Sequence, residues 1–399
     1  MNLLAIVWAQ AMRRPLQTVL SLVLLALGVA TLVFVLLAQT QLARQVTRDA
    51  QGIDLVVGAK GSPLQLILAA VYHVDVPTGN VPLAAVDKLR ANRYVAQAIP
   101  LALGDNHRGF RIVGSEPALI EHYGGRLVAG ALWRDRMQAV LGATVARETG
   151  LAVGARFFGT HGLATGGAVH EDAEYRVAGV LAPTGTVLDR LILTDLKSVW
   201  FVHEGEANDP EERKVLEAER EVTALLVRYA TPLAAALLPR QVNAEPALMA
   251  AVPANELARL FAVVGVGVDT MRAFGGILMG AALLALFVAL MNALEERRYD
   301  LAIMRLLGAS RARVAALLLV EAWLLAATAL AVGFALGLLA VHLVGAWLAQ
   351  ARSFGLTPFA WTPELALVVA AALATATIAA LVPAWRASRM DVHATLAQG

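Results

Sequence analysis

Apolar positions along the chain fall into two regimes, long unbroken windows and short pieces bounded by glycine, proline or charge. The long windows cover residues 16–38, 273–294, 314–349 and 365–385, and only Glu321 places a formal charge inside any of them. Each reaches the roughly 20 apolar residues that a helix needs to cross a bilayer. At about 1.5 Å per residue the third window is roughly 54 Å long and carries no turn signal that would divide it, so it reads as one crossing with an interfacial extension.

The short pieces lie in residues 39–272 and alternate between strand and helix signals. Strands are expected at 53–57, 109–114, 139–142, 175–181, 191–194 and 223–229. Helices are expected at 82–90, in a turn capped by Thr194 that leads to Trp200, and after Thr231 and Pro232. The run 209–221 is dense in both charge signs and reads as a solvated helix or loop. Residues 39–50 and 255–271 contain no proline, so the first and second membrane helices are expected to continue as stalks, with Gly265 and Gly267 as flexing points.

One stretch fits neither regime. GSPLQLILAAVYHVDVPTG, residues 61–79, offers Ser62 as an N-cap and Pro63 as a first helical residue, then turns apolar on nearly every side. It reads either as a buried core helix or as a substrate-facing or outer-leaflet helix. In the second reading Leu64, Leu68, Val71 and Tyr72 form the contact face, with His73 and Asp75 as its polar edge.

Basic residues orient the windows. Arg13 and Arg14 precede the first; Arg297, Arg298, Arg305, Arg311 and Arg313 separate the second from the third; Arg386 and Arg389 follow the fourth. The link 350–364 carries only Arg352. The positive-inside rule then puts both termini in the cytoplasm. The expected architecture is an α-helical membrane protein with four transmembrane helices and a large α+β extracytoplasmic domain inserted between the first and second. Its segments are a cytoplasmic N-terminus (1–15), helix 1 (16–38), the outer domain with stalks (39–272), helix 2 (273–294), a cytoplasmic segment (295–313), helix 3 with its extension (314–349), an outer link (350–364), helix 4 (365–385) and a cytoplasmic tail (386–399).

Composition excludes several functions. With 58% hydrophobic and 16% charged residues, the chain is too apolar for an ordinary soluble protein. The formal charge of +2 is not gathered into a basic stripe, so nucleic acid is not an expected partner. No cysteine is present, which removes disulfides, thiol catalysis and thiolate metal sites. His73, His107, His122, His161, His170 and His203 lie in the outer domain, but no two stand at the helical spacing of a metal pair, so no metal site is expected. Ser115, Asp105 and His107 have no nucleophile elbow around them, so no catalytic residues are expected.

The cytoplasmic segment EERRYDLAIMRLLGASRARVAALLLVEA, residues 295–322, places Leu301, Met304 and Leu307 at a spacing of three beside Arg297, Arg298 and Arg305. Gly308 and Ser310 end one helix and cap the next. This reads either as a charged turn or as a short amphipathic helix that docks on a cytoplasmic partner. Within it, ERRYDLAIMRLLGASR resembles the cytoplasmic signature of the FtsX/MacB/LolE superfamily of ABC transporter permeases, approximately E-R-x-x-E-I-G-I-L-R-A-L-G-A-S, with Asp300 and Ala302 as departures. PAWRASRMDVHATL, residues 383–396, is similar to the family's closing pattern, with Val392 in place of proline. Residues 111–114, 124–158 and 175–196 look like the MacB-type periplasmic core.

The resemblance implies a non-catalytic permease of the bacterial inner membrane that dimerises with a second copy or a paralogue and works by mechanotransmission. No GxxxxGK[ST] loop occurs in this chain, so ATP and Mg belong to a partner cytoplasmic ABC ATPase and no cofactor is expected here. The residues implied to couple to that ATPase are Glu296, Arg297, Arg298, Asp300, Leu301, Ile303, Met304, Arg305, Leu307, Gly308 and Arg311. Glu321 is expected to be interfacial, paired with Arg313 or another cytoplasmic arginine, or else a gating group. Gly276 with Gly280 and Gly333 with Gly337 form GxxxG spacings suited to close helix packing. The implied substrates are amphipathic: lipoprotein, lipid, peptide or drug, with a periplasmic adaptor or carrier protein as a further partner. The alternatives are an FtsX-like regulator of a cell-wall hydrolase, a peptide-sensing subunit, and metal-related transport.

Overall fold

A computed structural model describes residues 15–162, 169–204, 216–217, 219–350, 356 and 362–392. The expected N-terminus before residue 15, most of the 209–221 run, most of the 350–364 link, residues 393–399 and the side chain of His170 lie outside the described residues.

In chain order the elements are α1 (Pro15–Asp49), β1 (Leu55–Ala59), α2 (Pro63–Ala70), β2 (Val81–Pro82), α3 (Ala84–Arg90), β3 (Val95–His107), β4 (Phe110–Ser115), α4 (Pro117–His122), β5 (Leu127–Gly130), β6 (Gln138–Leu141) and α5 (Ala143–Thr149). There follow β7 (Arg156–His161), β8 (Val169–Leu181), β9 (Ile192–Asp195), α6 (Leu196–Glu204), β10 (Glu221–Val222), β11 (Ala224–Tyr229), α7 (Ala234–Ala244), β12 (Leu248–Ala251), α8 (Pro253–Glu296), α9 (Arg298–Leu306), α10 (Arg311–Gln350) and α11 (Glu364–Ser388). The chain divides into two compact units, one of residues 1–42 with 263–399 and one of residues 43–262.

Four helices that lie wholly or mostly in the first unit, Leu16–Asp49, Pro253–Glu296, Arg311–Leu348 and Glu364–Ser388, are long and apolar enough to cross a membrane. Their shared core takes Val29 and Val33 from α1, Ala282 and Leu286 from α8, Ala326 and Ala329 from α10, and Ala372 and Ala376 from α11. The opposite faces leave Leu16, Ile277, Leu284, Leu343 and Leu367 exposed. In water such apolar surface would be a liability, and in a bilayer it is the expected exterior. No turn divides α10, in agreement with the unbroken apolar pattern.

The second unit is built on a mixed sheet in the order β12-β1-β11-β3-β4-β9-β6-β8-β5, with β7 pairing to both β3 and β8. Strand β3 joins its two halves. Residues 95–101 pair with β11, residues 102–107 with β4, and Asp105 and Asn106 with β7. Two cores follow from this division. One gathers Leu55, Val57, Leu225 and Val227 under α3 and α7, and the other gathers Phe110, Ile112, Leu141, Phe157 and Tyr175 with Val145 of α5.

Local chemistry sets the helix ends. Ser62 Oγ accepts from the Gln65 amide at 3.4 Å and Pro63 opens α2, as its sequence signals require. The Thr194 hydroxyl, expected to cap the next helix, instead donates to the Gln138 carbonyl at 2.7 Å across the sheet. Asp195 takes the cap, its Oδ1 accepting from the Lys197 amide at 3.2 Å.

Within the 61–79 stretch, residues 66–73 are core apart from the half-buried Leu68, whereas Val74 and Val76 are exposed. Leu66, Ile67 and Val71 are fully buried, Tyr72 is buried, and the Tyr72 hydroxyl donates to the Val46 carbonyl at 3.0 Å. The expected contact face of Leu64, Leu68, Val71 and Tyr72 therefore does not exist as a surface. Its last two members lie inside, and Leu64 and Leu68 are half-buried. His73, expected at a polar edge, is buried as well.

Candidate functional site

The segment after α8 folds back as α9, and its end is set by glycine. Gly308 takes φ +96°, a conformation that favours glycine, while its amide bonds to the Arg305 carbonyl at 3.1 Å and the Ala309 amide to the Met304 carbonyl at 3.0 Å. Ser310 Oγ then accepts from the Arg313 amide at 3.3 Å and starts α10.

Three attachments hold α9 against its neighbours. Leu301 is buried in a cluster with Leu294, Val314, Leu317, Leu318, Ala384 and Ala387. Arg297 forks onto Glu321 of α10, Nη1 donating to Oε2 at 2.9 Å and Nη2 to Oε1 at 3.4 Å, with side chains only 12% and 8% exposed. Arg305 Nη1 donates to the Ser388 and Met390 carbonyls at 3.4 and 3.1 Å, at the end of α11. Glu321 is thus paired with Arg297 and not with Arg313.

The expected docking face needs correcting. Leu301, Met304 and Leu307 do not share a surface, because Leu301 is buried while Met304 is 41% and Leu307 81% exposed. The apolar surface that α9 leaves open consists of Tyr299, Met304, Leu306 and the capping residue Leu307. Around it Glu296, Arg298, Asp300 and Arg311 are exposed, Ile303 is half-buried, and Arg298 pairs with Glu295 at 2.8 Å. An exposed pair of that kind contributes little to stability.

The two glycine spacings part company. A Cβ on Gly333 would lie 2.7 Å from the Ala26 carbonyl oxygen and one on Gly337 2.8 Å from Val33 Cγ1, so both let α10 approach α1. A Cβ on Gly276 or Gly280 would meet nothing within 4 Å, and the glycine that α8 uses against α1 is Gly275, whose Cβ would lie 2.9 Å from Leu32 Cδ2. Gly333→Leu is accordingly expected to cost about 1–3 kcal/mol through overpacking. Gly276→Leu is expected to stay within about 0.5 kcal/mol, as read by thermal unfolding of the detergent-solubilised monomer.

In the second unit the last turn of α1 is held from several sides. The Tyr123 hydroxyl donates to the Asp49 carbonyl at 3.0 Å, and the Val187 amide donates to Asp49 Oδ1 at 2.8 Å. Gln45 and Arg48 both donate to the Gly185 carbonyl at 3.2 Å. Burial first, and the nearby Asp49 charge second, raise the Tyr72 and Tyr123 phenols above their ordinary values, so both remain hydrogen-bond donors. Nothing in the local sequence marks these residues, since the partners meet only through the fold.

Among the histidines, His73 is buried and His107 Nδ1 lies 2.8 Å from the Phe158 carbonyl. His122 sits edge-on to Tyr123. His161 and His203 come together beside Asp105, a convergence that helical spacing did not anticipate. Ser115 Oγ donates to the Pro100 carbonyl at 2.8 Å inside the sheet, where it braces backbone.

Two protein-family models match the chain. The family model for the MacB-like periplasmic core domain matches residues 18–245, and that for the FtsX-like permease C-terminal region matches residues 272–392. Among solved structures, the periplasmic region of MacB from Actinobacillus actinomycetemcomitans is similar at 10% identity, covering 54% of this chain and 95% of that one, with a TM-score of 0.35. The extracellular domain of the noncanonic ABC-type transporter YknZ from Gram-positive bacteria is similar at 11% identity, covering 49% and 98%, with a TM-score of 0.30. Comparison with curated proteins gives no match. With the periplasmic-core model matching more than half of its length and the permease model most of the remainder, the chain belongs to the FtsX/MacB superfamily of ABC transporter permeases.

Proposed function

We propose that this chain is the membrane subunit of a mechanotransmitting ABC system in the bacterial inner membrane, which moves or extracts an amphipathic substrate by working its periplasmic domain. A separate cytoplasmic ATPase binds ATP and Mg and docks on α9, and a second copy or a paralogue completes the permease. The observation that carries this reading is the two-sidedness of α9. One side is fixed to α10 and α11 by Leu301, Arg297 and Arg305, while Tyr299, Met304, Leu306 and Leu307 stay open on the other. A partner that moved this helix would move the transmembrane helices with it. The continuity of α1 over Pro15–Asp49 and the grip on its last turn support transmission along that helix into the periplasmic domain.

The test is co-purification of the ATPase with the full chain. Leu307→Asp, at a position 81% exposed, is expected to reduce recovery of the ATPase at least about tenfold, the effect of losing roughly 1.4 kcal/mol of binding, with membrane insertion unchanged. Unchanged recovery would remove α9 as the docking element. Reconstitution with the ATPase then separates the functions. Hydrolysis raised by an amphipathic substrate supports transport or extraction, and hydrolysis that answers only to a cell-wall hydrolase partner establishes the regulator instead.

A further inference from the structure

The junction of the two cores in the second unit carries a group of side chains that the permease function does not use. Asp105 lies in the C-terminal half of β3, directly opposite His161 of β7 in the antiparallel register. His203 arrives from the last turn of α6. His161 Nδ1 is 3.3 Å and His203 Nε2 is 3.9 Å from Asp105 Oδ1, and one donor atom from each of the three residues lies within 4.8 Å of the other two. The carboxylate is 4% exposed, whereas the imidazoles are 58% and 35% exposed. A buried carboxylate thus lies beside two partly exposed imidazoles, at a place an ion can reach from water.

We propose that Asp105, His161 and His203 form a binding site for a divalent transition-metal ion of the zinc type, which ties the end of α6 to β3 and β7. Tetrahedral coordination at about 2.0–2.1 Å places ligand atoms about 3.3 Å apart. The Asp105–His161 edge already has that length; His203 stands 3.9 Å from Asp105 and within 4.8 Å of His161, so it must close by roughly 0.6 Å on the first edge and by at most about 1.5 Å on the second. Gly104 leaves room for the third ligand, because a Cβ there would lie 3.1 Å from His203 Nε2. Two imidazoles and one carboxylate suit zinc and its neighbours, whereas calcium and magnesium prefer all-oxygen shells. With three protein ligands the fourth position is left to water or to a donor from a bound partner.

The location gives such an ion a mechanical effect. Helix α6 contributes Leu196 and Val199 to one core and Val202 to the margin of the other, so fixing its last turn to β3 and β7 would brace the two halves of the sheet. Ligands from three separate elements also gather only in the folded state, so the metal would add to stability by mass action.

The experiment uses the full chain in nanodiscs, stripped with a chelator and dialysed against zinc sulfate with excess magnesium and calcium. About one zinc per chain is expected, together with a higher unfolding temperature. His161→Ala and His203→Ala should each weaken binding at least about tenfold, since even outer partners of metal ligands cost that much, while His122→Ala binds like the unmodified chain. Cobalt substituted for zinc should show the visible bands of a low-symmetry, four-coordinate ion, lost in both ligand variants. Both variants alter solvent-reaching side chains, and an unchanged metal-free unfolding temperature verifies that they fold. No bound zinc, or zinc binding indifferent to both substitutions, overturns the proposal and leaves an ordinary histidine–aspartate ion-pair cluster.

Discussion

Arg297→Met is expected to destabilise the membrane unit by about 3–5 kcal/mol, because it strands the Glu321 carboxylate where only 8% of its side chain reaches solvent. Adding Glu321→Met should restore most of that loss, since an apolar pair of similar volume replaces a buried ion pair at little net cost. The double variant therefore separates strength from signal. Its thermal unfolding should resemble that of the unmodified chain, yet hydrolysis by the reconstituted ATPase should no longer respond to substrate, because the directional fork from α9 to α10 is gone. A double variant that stays as unstable as Arg297→Met would show that the pair does not act as a unit. One that keeps its substrate response would show that α9 drives α10 through Leu301 packing alone.

The second large effect is expected on acidification. Burial first, and the Arg111 charge second, push the His73 imidazole down from 6.5 to about 3. Arg111 is held over the 73–75 segment by bonds from its guanidinium to the His73 and Asp75 carbonyls, and the Asp75 charge faces it in turn. A base held neutral in the folded state contributes stability that is fully present above about pH 6.5 and lost as pH falls toward about 3, at about 1.4 kcal/mol per pH unit. His73 alone should then remove several kcal/mol from the outer unit between these limits. His73→Asn is the matched control, because asparagine tolerates the φ of +55° found there. Unfolding of both proteins across that pH range should show the unmodified chain losing more stability than the variant. Parallel curves would contradict the assignment.

Much of the architecture is legible in the sequence because membrane windows and short strands follow simple periods. The strands expected at 109–114, 139–142 and 223–229 differ from β4, β6 and β11 by no more than a residue at either end. Strand β3 is not legible. It is buried on both faces from Ala98 to Leu103, contains Pro100 and Gly104, and shifts register between Leu103 and Asn106, so no alternation survives. Strand β12 has the sequence LMAA, an apolar run that does not distinguish strand from helix.

The coupling segment shows where spacing misleads. Steps of three residues drift about 60° per step, so Leu301 and Leu307 stand roughly 120° apart even before α9 ends at Leu306. Within the chain the glycine spacing does not single out the residue that packs, because Gly275 and Gly276 differ by about 100° around α8 and only the first meets α1. The histidine site was invisible for a different reason. Its ligands come from three distant segments, and no local pattern encodes a meeting that the sheet register creates.

Strand β3 also bears on how this domain can change through evolution. Its first half faces one core and its second half adjoins the other, with partners fixed on both flanks. Turns between other elements can gain or lose residues at small entropic cost. A single insertion within β3 has no such outlet unless it is taken up by a second bulge like the one between Leu103 and Asn106. Because side chains alternate with a period of two, it would otherwise turn everything beyond the inserted residue to the opposite face, exchanging the environments of Asp105 and Asn106 and moving one carboxylate away from the two histidines. Length variation in this domain should accordingly accumulate in its loops and leave this strand's residue count untouched.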